Sequence, residues 1–185
     1  MTSSGRGLVL GLAVAMGVLA TARAQGGRGA EGEVLELARE AEAGKDVTKR
    51  AAALSKRFRD VHAAMRVYNP RSAGGLGLGP RGEGIERRLV DLGEGTLSAD
   101  ALKKESGELV QVAHLTFILA EVTRGHAPAK PFLGRGKKEW ERDLEGVKAG
   151  SQALLQAVKA GEPRAVRTAA ARINQACNNC HDGVP

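Results

Sequence analysis

Aromatic side chains and cysteines are scarce in this chain of 185 residues. Phe, Trp and Tyr together make up 3% of the sequence, and only two cysteines are present. Two cysteines allow at most one disulfide, so a disulfide-rich scaffold is excluded. Long alternations of apolar and polar residues are also absent, whereas apolar residues recur at helical spacing. The pattern therefore predicts an all-α protein.

The chain also lacks an apolar run long enough to cross a membrane as a helix. Its longest run, Leu8 to Ala20, is too short for a bilayer of ordinary thickness. Arg6 precedes this run, and the small-x-small sequence Ala22-Arg23-Ala24 follows it. These are the parts of a secretory signal peptide, so we expect residues 1–24 to be cleaved off after Ala24. An uncleaved membrane anchor is the alternative.

Acidic residues are outnumbered by basic ones, and the formal net charge is +7. Residues 1–24 contain Arg6 and Arg23 and no acidic residue, so the mature chain has 161 residues and a charge of +5. This length suits one domain with a single core. An exported chain without a concentrated basic stripe does not fit nucleic-acid binding. A modestly basic surface instead favours association with acidic partners.

Four long segments carry apolar residues at helical steps of three and four. The first is predicted from Val47 to Tyr68, where Asn69-Pro70 ends it. The second begins after Ser98, a suitable N-cap, and ends before Gly125. The apolar seam of the first helix consists of Val47, Ala51, Leu54, Phe58, Val61, Met65 and Tyr68.

The third helix is predicted from Lys137 to Ala160, and the fourth opens at Pro163. A shorter helix is expected over residues 31–43, and another from Ile85 to Leu92 within the glycine-rich connection 69–97. The predicted organisation is thus a signal peptide (1–24), an N-terminal extension with a short helix (25–46) and a helical domain (47–185).

The most specific motif lies at the end of the fourth helix, where Cys177-Asn178-Asn179-Cys180-His181 forms a Cys-x-x-Cys-His sequence. This is the signature of covalent c-type haem attachment: two thioether bonds from the cysteines and an axial imidazole from the histidine. A disulfide in a thioredoxin-like redox motif is the alternative. Such a motif follows a strand, and no βαβ pattern is present.

The cysteines continue the apolar seam of the fourth helix. Steps of four and three connect Val166, Ala170, Ile173, Cys177 and Cys180. Both thiols are therefore expected to face the interior of the protein, so that a haem attached to them would lie between the helices. Because the helices bring few aromatic rings, a haem would fill part of their core, and stability without it is expected to be lower.

Four helices, a long first connection and a C-terminal Cys-x-x-Cys-His resemble class II c-type cytochromes, the cytochrome c′ group and its methionine-ligated relatives. The resemblance covers residues 47 to 182 and implies an antiparallel four-helix bundle. It also implies that Cys177 and Cys180 hold one haem c and that His181 is the fifth iron ligand. One departure is the ending Asp182-Gly183-Val184-Pro185, which lacks the aromatic and basic residues that commonly follow the haem histidine.

In that family a side chain from the first helix faces the sixth iron position. Met65 is the best candidate, because it lies on the apolar seam and is the only methionine outside the predicted signal peptide. Packing in the core is the alternative role for Met65. His62 lies one position off the seam and is a weaker candidate. His114 lies on the second helix, where the family places no ligand.

The leading hypothesis is a periplasmic monohaem cytochrome that carries one electron through the haem iron and is not an enzyme. The alternative is a five-coordinate module that binds nitric oxide or carbon monoxide, as cytochrome c′ does. Peroxidase-like chemistry is disfavoured, since it needs an acid–base pair beside the iron and only His62 is near. The expected partner is a redox protein with an acidic docking surface, and the resemblance also allows a homodimer. Arg164, Arg167 and Arg172 share the haem helix and face either solvent or such a partner.

Overall fold

The computed structural model describes residues 29–182 except 80, 132 and 134. These residues form seven α-helices, one short 3-10 helix (71–73) and no strand, which confirms the all-α prediction for the described part of the chain. The helices are α1 Ala30–Glu42, α2 Thr48–Ser55, α3 Val61–Arg66, α4 Ile85–Glu94, α5 Ala99–Arg124, α6 Lys137–Ala160 and α7 Pro163–His181. The predicted signal peptide lies outside the described residues.

The ends of the long helices follow from local chemistry. The Ser98 hydroxyl accepts a hydrogen bond from the Ala101 N–H at 3.1 Å, which satisfies one of the free donors at the start of α5. Gly161 ends α6 in the left-handed conformation, with φ 68°. Pro163 then occupies the first turn of α7, where its missing N–H costs nothing. The predicted bounds of these three helices are confirmed.

The prediction of one unbroken helix from Val47 to Tyr68 was wrong. The chain leaves the helix after Ser55 and starts a new one, α3, at Val61. Asp60 takes an extended conformation, and its side chain accepts the Ala63 N–H at 2.7 Å. An unbroken helix would not allow this N-cap, so the break follows from the preference of Asp for such positions.

Helix α6 packs between α5 and α7 and runs antiparallel to both. Against α5, Lys148 pairs with Glu121, and Arg124 pairs with Glu145. Against α7, a Cβ added at Gly150 would lie 2.6 Å from the Ile173 Cγ1 atom. The end of α5, the start of α6 and the end of α7 therefore meet at the same end of the molecule.

The remaining helices cover the outside of this layer. Helices α1 and α2 pack on α5, and the buried residues Val34 and Leu37 of α1 belong to the same core as the long helices. Helix α4 packs on α7. In the part of the chain that the structure describes, no helix has both the length and the apolar character needed to cross a membrane.

The glycine-rich connection before α4 is folded tightly. A Cβ added at Gly75 would lie 2.2 Å from the Asn69 carbonyl oxygen, so only glycine fits there. The Arg71 guanidinium donates to the carbonyl of Gly79 at 3.2 Å. In α4, which follows these turns, the buried Arg88 pairs with Glu105 and Glu108 of α5. This segment is thus held against α5 and fixes where α4 begins.

Candidate functional site

A cavity of about 490 Å³ lies where the ends of α5, α6 and α7 meet. Its volume falls in the range of about 300–1,000 Å³ that is typical of small-molecule and cofactor sites. Residues from α3, from the connection after it and from the start of α4 complete its walls. The lining consists of Val61, His62, Met65, Tyr68, Asn69, Pro70, Gly84, Ile85, Glu86, Arg87, Leu119, Ala120, Thr123, Trp140, Leu144, Val147, Cys177, Cys180 and His181.

Helix α7 brings the whole predicted attachment motif to this cavity. Cys177, Cys180 and His181 all line it, and both cysteines are free and partly covered by neighbouring residues. The seam predicted for this helix is correct, since Val166 and Ile173 are fully buried in the core. The two thiols and the imidazole therefore line one cavity, which is open to solvent on the side of His181.

The surroundings of the thiols oppose their ionisation. Burial, with smaller contributions from Cys180 and Glu86, raises the pKa of the Cys177 thiol to about 12. Burial, together with the nearby Asp143, raises the pKa of the Cys180 thiol to about 11, and Arg135 opposes this shift. Reactive Cys-x-x-Cys pairs have lowered pKa values and are favoured at helix N-termini. These cysteines lie in the last turns of α7 instead, which does not fit a thioredoxin-like redox pair.

Met65 and His62 of α3 line the same cavity. Met65 is half-buried and packs against the hydrophobic core, whereas His62 is exposed. Both lie on the short helix that the Asp60 side chain caps, so that cap defines the start of the helix that carries them. The break in the first predicted helix therefore does not remove Met65 from the site.

Two buried donors on the cavity wall have no hydrogen-bond partner among the described residues. They are the Tyr68 hydroxyl and the indole N–H of Trp140. Burial raises the pKa of Tyr68, so its hydroxyl stays protonated. Buried donors without a partner are costly in a folded protein. A ligand that brings acceptor groups into this cavity would remove that cost.

The cavity fits a covalently attached haem by the chemistry of its walls. Cys177, Cys180 and His181 supply the two thiols and the imidazole that c-type attachment uses, and Met65 supplies a thioether from another helix. The remaining walls are mainly apolar, with Ile85, Leu119 and Leu144 among them. Trp140 also lines the cavity, where its indole ring would pack against a bound porphyrin.

Sequence reasoning missed a charged pair beside the motif. Asp143 of α6 is buried and pairs with Arg135 from the connection before α6. A signal for this pair exists in the sequence, because Asp143 lies three residues after Trp140 and four before Val147. An acidic residue on such an apolar seam needs a buried partner. That the partner comes from the preceding loop is visible only in the structure.

His114 lies away from this cavity. His114 of α5 lines a separate cavity of about 200 Å³ between α5, α6 and the residues that join α1 to α2. Burial lowers the pKa of His114. Within the described ranges, no three His, Cys, Asp or Glu side chains come together as a metal-binding group.

Comparisons of this chain with protein-family models, with curated proteins and with solved structures gave no match. The assignment of a function therefore depends on the residues of the cavity themselves.

Proposed function

We propose that this chain is an exported, periplasmic c-type cytochrome of the class II type, which carries one electron at a time on a single haem. In this proposal α5, α6 and α7, together with the broken segment α2–α3, form an antiparallel four-helix bundle around the haem. The observation that carries the proposal is the convergence of Cys177, Cys180, His181 and Met65 on one cavity of about 490 Å³.

Each wall of the cavity has a distinct role in this proposal. Cys177 and Cys180 hold the haem through two thioether bonds, His181 is the fifth iron ligand and Met65 is the sixth. Haem ligated by histidine and methionine supplies one-electron chemistry at a raised potential. The apolar walls, including Leu119 and Leu144, limit the access of water.

Part of the cavity lining is exposed to solvent, which allows electron transfer between a bound haem and a partner protein. His62, Glu86, Arg87 and His181 line the cavity and are exposed to solvent. One edge of a bound haem would therefore lie near the protein surface, where a redox partner docks. Such encounters use small, transient interfaces.

Attachment can be tested by producing the protein in a bacterial host with c-type maturation. We expect the exported protein to keep its haem after denaturation and extraction, and its mass to exceed that of the mature chain by one haem. A double substitution, Cys177→Ala with Cys180→Ala, removes both attachment points and should release the haem entirely. Met65→Ala is the matched control, because it changes the cavity without removing an attachment point. Exported wild-type protein that loses its haem on extraction would contradict the proposal.

A further inference from the structure

The outer face of α7 carries only positive charge. The helix contains Arg164, Arg167 and Arg172 and no acidic residue. Their spacing places Arg164 between Arg167 and Arg172 around the helix, so that the three arginines spread over about 140° of its surface. Together with Thr168, Ala171 and Gln175 of α7 and Gly93 of α4, they line a surface groove, which we call the arginine groove.

These three arginines have no acidic partner in the described structure. No carboxylate oxygen lies within 4.0 Å of any of them, whereas most of the other described arginines pair with Asp or Glu. Arg87, for example, pairs with Asp91 at 2.9 Å, and the buried Arg88 pairs with two glutamates. Among the described residues, no acidic side chain therefore neutralises the positive charge of the arginine groove.

The stability of α7 does not explain the arginines either. Arg164 and Arg167 lie in the first two turns, at the positive end of the helix dipole, and the first turn holds no acidic residue. Cations are disfavoured at this end, where Asp or Glu would stabilise the helix. The charge of Arg164, and less strongly that of Arg167, is thus placed against the preference of the helix, whereas Arg172 lies in mid-helix, where the dipole has little effect.

The arginine groove lies on the outer face of α7, opposite the seam that bears the cysteines, and reaches the level of the attachment motif. Arg172 precedes Cys177 by five residues, which is about 7.5 Å along a helix. Gln175 lines the groove, and its side-chain N–H donates to Asn179 Oδ1 at 2.9 Å, within the attachment motif. A protein bound over the groove would therefore contact the outer face of the turn whose inner face bears both cysteines.

We propose that the arginine groove is the docking site for an acidic electron-transfer protein; this inference rests on the proposed function and adds the surface that recognises the partner. A carboxylate-rich surface is complementary to three unpaired guanidinium groups. A membrane surface fits less well, because membrane-binding faces combine basic residues with large exposed apolar ones. Among the described residues the one large, strongly exposed hydrophobic side chain is Leu133, in the connection between α5 and α6.

The test uses the holoprotein and flavodoxin, an acidic flavin protein, as the probe. Arg164, Arg167 and Arg172 are replaced together by Gln. The matched control replaces Arg39, Lys49 and Lys56 by Gln, which removes the same charge from the region of α1 and α2, helices that pack on α5. Binding of oxidised flavodoxin is measured by calorimetry, and reduction by flavodoxin hydroquinone is measured by stopped-flow spectroscopy.

At low ionic strength we expect the α7 variant to bind flavodoxin about tenfold more weakly than wild type, and to be reduced by it about tenfold more slowly. Both changes lie within the range of electrostatic steering. The difference should vanish near 1 M salt, where the Debye length is about 3 Å. Its melting temperature should not fall, because the three arginines form no ion pair among the described residues and Arg164 lies at the positive end of α7. The control variant should stay within about twofold of wild type.

Equal losses in the two variants would show that only net charge matters and would overturn the proposal, as would wild-type behaviour of the α7 variant. If the α7 variant lost the binding of the wild type to phosphatidylglycerol vesicles but still bound flavodoxin normally, the proposal would be overturned in favour of a membrane-binding surface. Calorimetry does not depend on haem, so failure of the docking site is distinguishable from failure of the proposed function, which the visible spectrum reports separately.

Discussion

Met65 is the residue on which the state of the iron depends in the proposed function. It lines the cavity with the attachment motif, packs against the core and has the thioether that histidine-ligated haem uses as a sixth ligand. His62 lies three residues earlier on the same short helix and is exposed, so the two side chains can be compared directly.

Replacing Met65 by Ala should convert the iron from low spin to high spin and allow carbon monoxide to bind. The reason is that the other candidate ligand on α3, His62, is exposed rather than half-buried. Visible absorption of the oxidised and reduced protein, with and without carbon monoxide, measures this change. His62→Ala is the control and should keep the low-spin spectrum. The reverse result, with His62→Ala and not Met65→Ala changing the spin state, would assign the sixth ligand to His62.

At the residue scale, periodicity was sufficient to place Cys177, Cys180 and Met65 on buried seams, because burial repeats with the helix turn. Periodicity could not show that the Tyr68 hydroxyl and the Trp140 indole N–H lack hydrogen-bond partners among the described residues, since this depends on neighbours distant in sequence. Nor could it join Asp143 to Arg135, which reaches it from a connecting loop.

At the scale of the elements, the cavity depends on how closely α6 and α7 approach. Glycine allows this approach: a Cβ at Gly150 would lie 2.6 Å from Ile173 Cγ1, and a Cβ at Gly146 would lie 3.3 Å from the Ala176 Cβ. Ile173 is fully buried, so it has little room to move. The two glycines therefore set the distance between the helix that carries the motif and its neighbour.

Gly150→Ala should lower the free energy of unfolding by about 1–3 kcal/mol, because overpacking a close helix contact forces the backbones apart. Gly107→Ala is the matched control. Gly107 lies in α5, is exposed and has open space where a Cβ would be, so this substitution should stabilise the protein by about 0.5–1 kcal/mol. Urea unfolding followed by circular dichroism measures both. Equal effects in the two variants would show that the close α6–α7 contact does not limit stability.

The long helices α5, α6 and α7 were predictable from the sequence because caps, glycines and prolines mark their ends. The break in the first predicted helix was not predictable, because the apolar seam continues across residues 56–60 although the backbone there is not helical. Periodicity is insensitive to a short break that preserves register, and the Asp60 cap prevailed over it. The shape of the glycine-rich connection was also hidden, since it depends on contacts such as that of Gly75 with Asn69.

At the scale of the whole molecule, the cavity interrupts the core that the helices share. Its walls come from α3, α4, α5, α6 and α7, so whatever fills it connects five elements. A ligand that binds the folded chain alone stabilises it by linkage, and a covalently held one cannot dissociate as the protein melts.

Protein made without haem, as in a host that lacks c-type maturation, should therefore melt at a lower temperature and less cooperatively than the holoprotein. Thermal scans by circular dichroism at matched concentrations measure the difference. The variant Gly107→Ala, prepared in both forms, checks that each form reports a change in helix stability. A haem-free protein with the same cooperative melt as the holoprotein would show that the cavity is stable on its own.

The visible spectrum of the exported protein, reduced and with carbon monoxide added, tests the proposed function most directly. We predict a c-type spectrum that survives denaturation and extraction, low-spin in both oxidation states, with no rapid change on adding carbon monoxide because Met65 occupies the sixth position. A high-spin spectrum with rapid carbon monoxide binding would contradict the electron-carrier proposal in favour of a gas-binding module. A colourless protein would contradict haem attachment at Cys177 and Cys180 altogether.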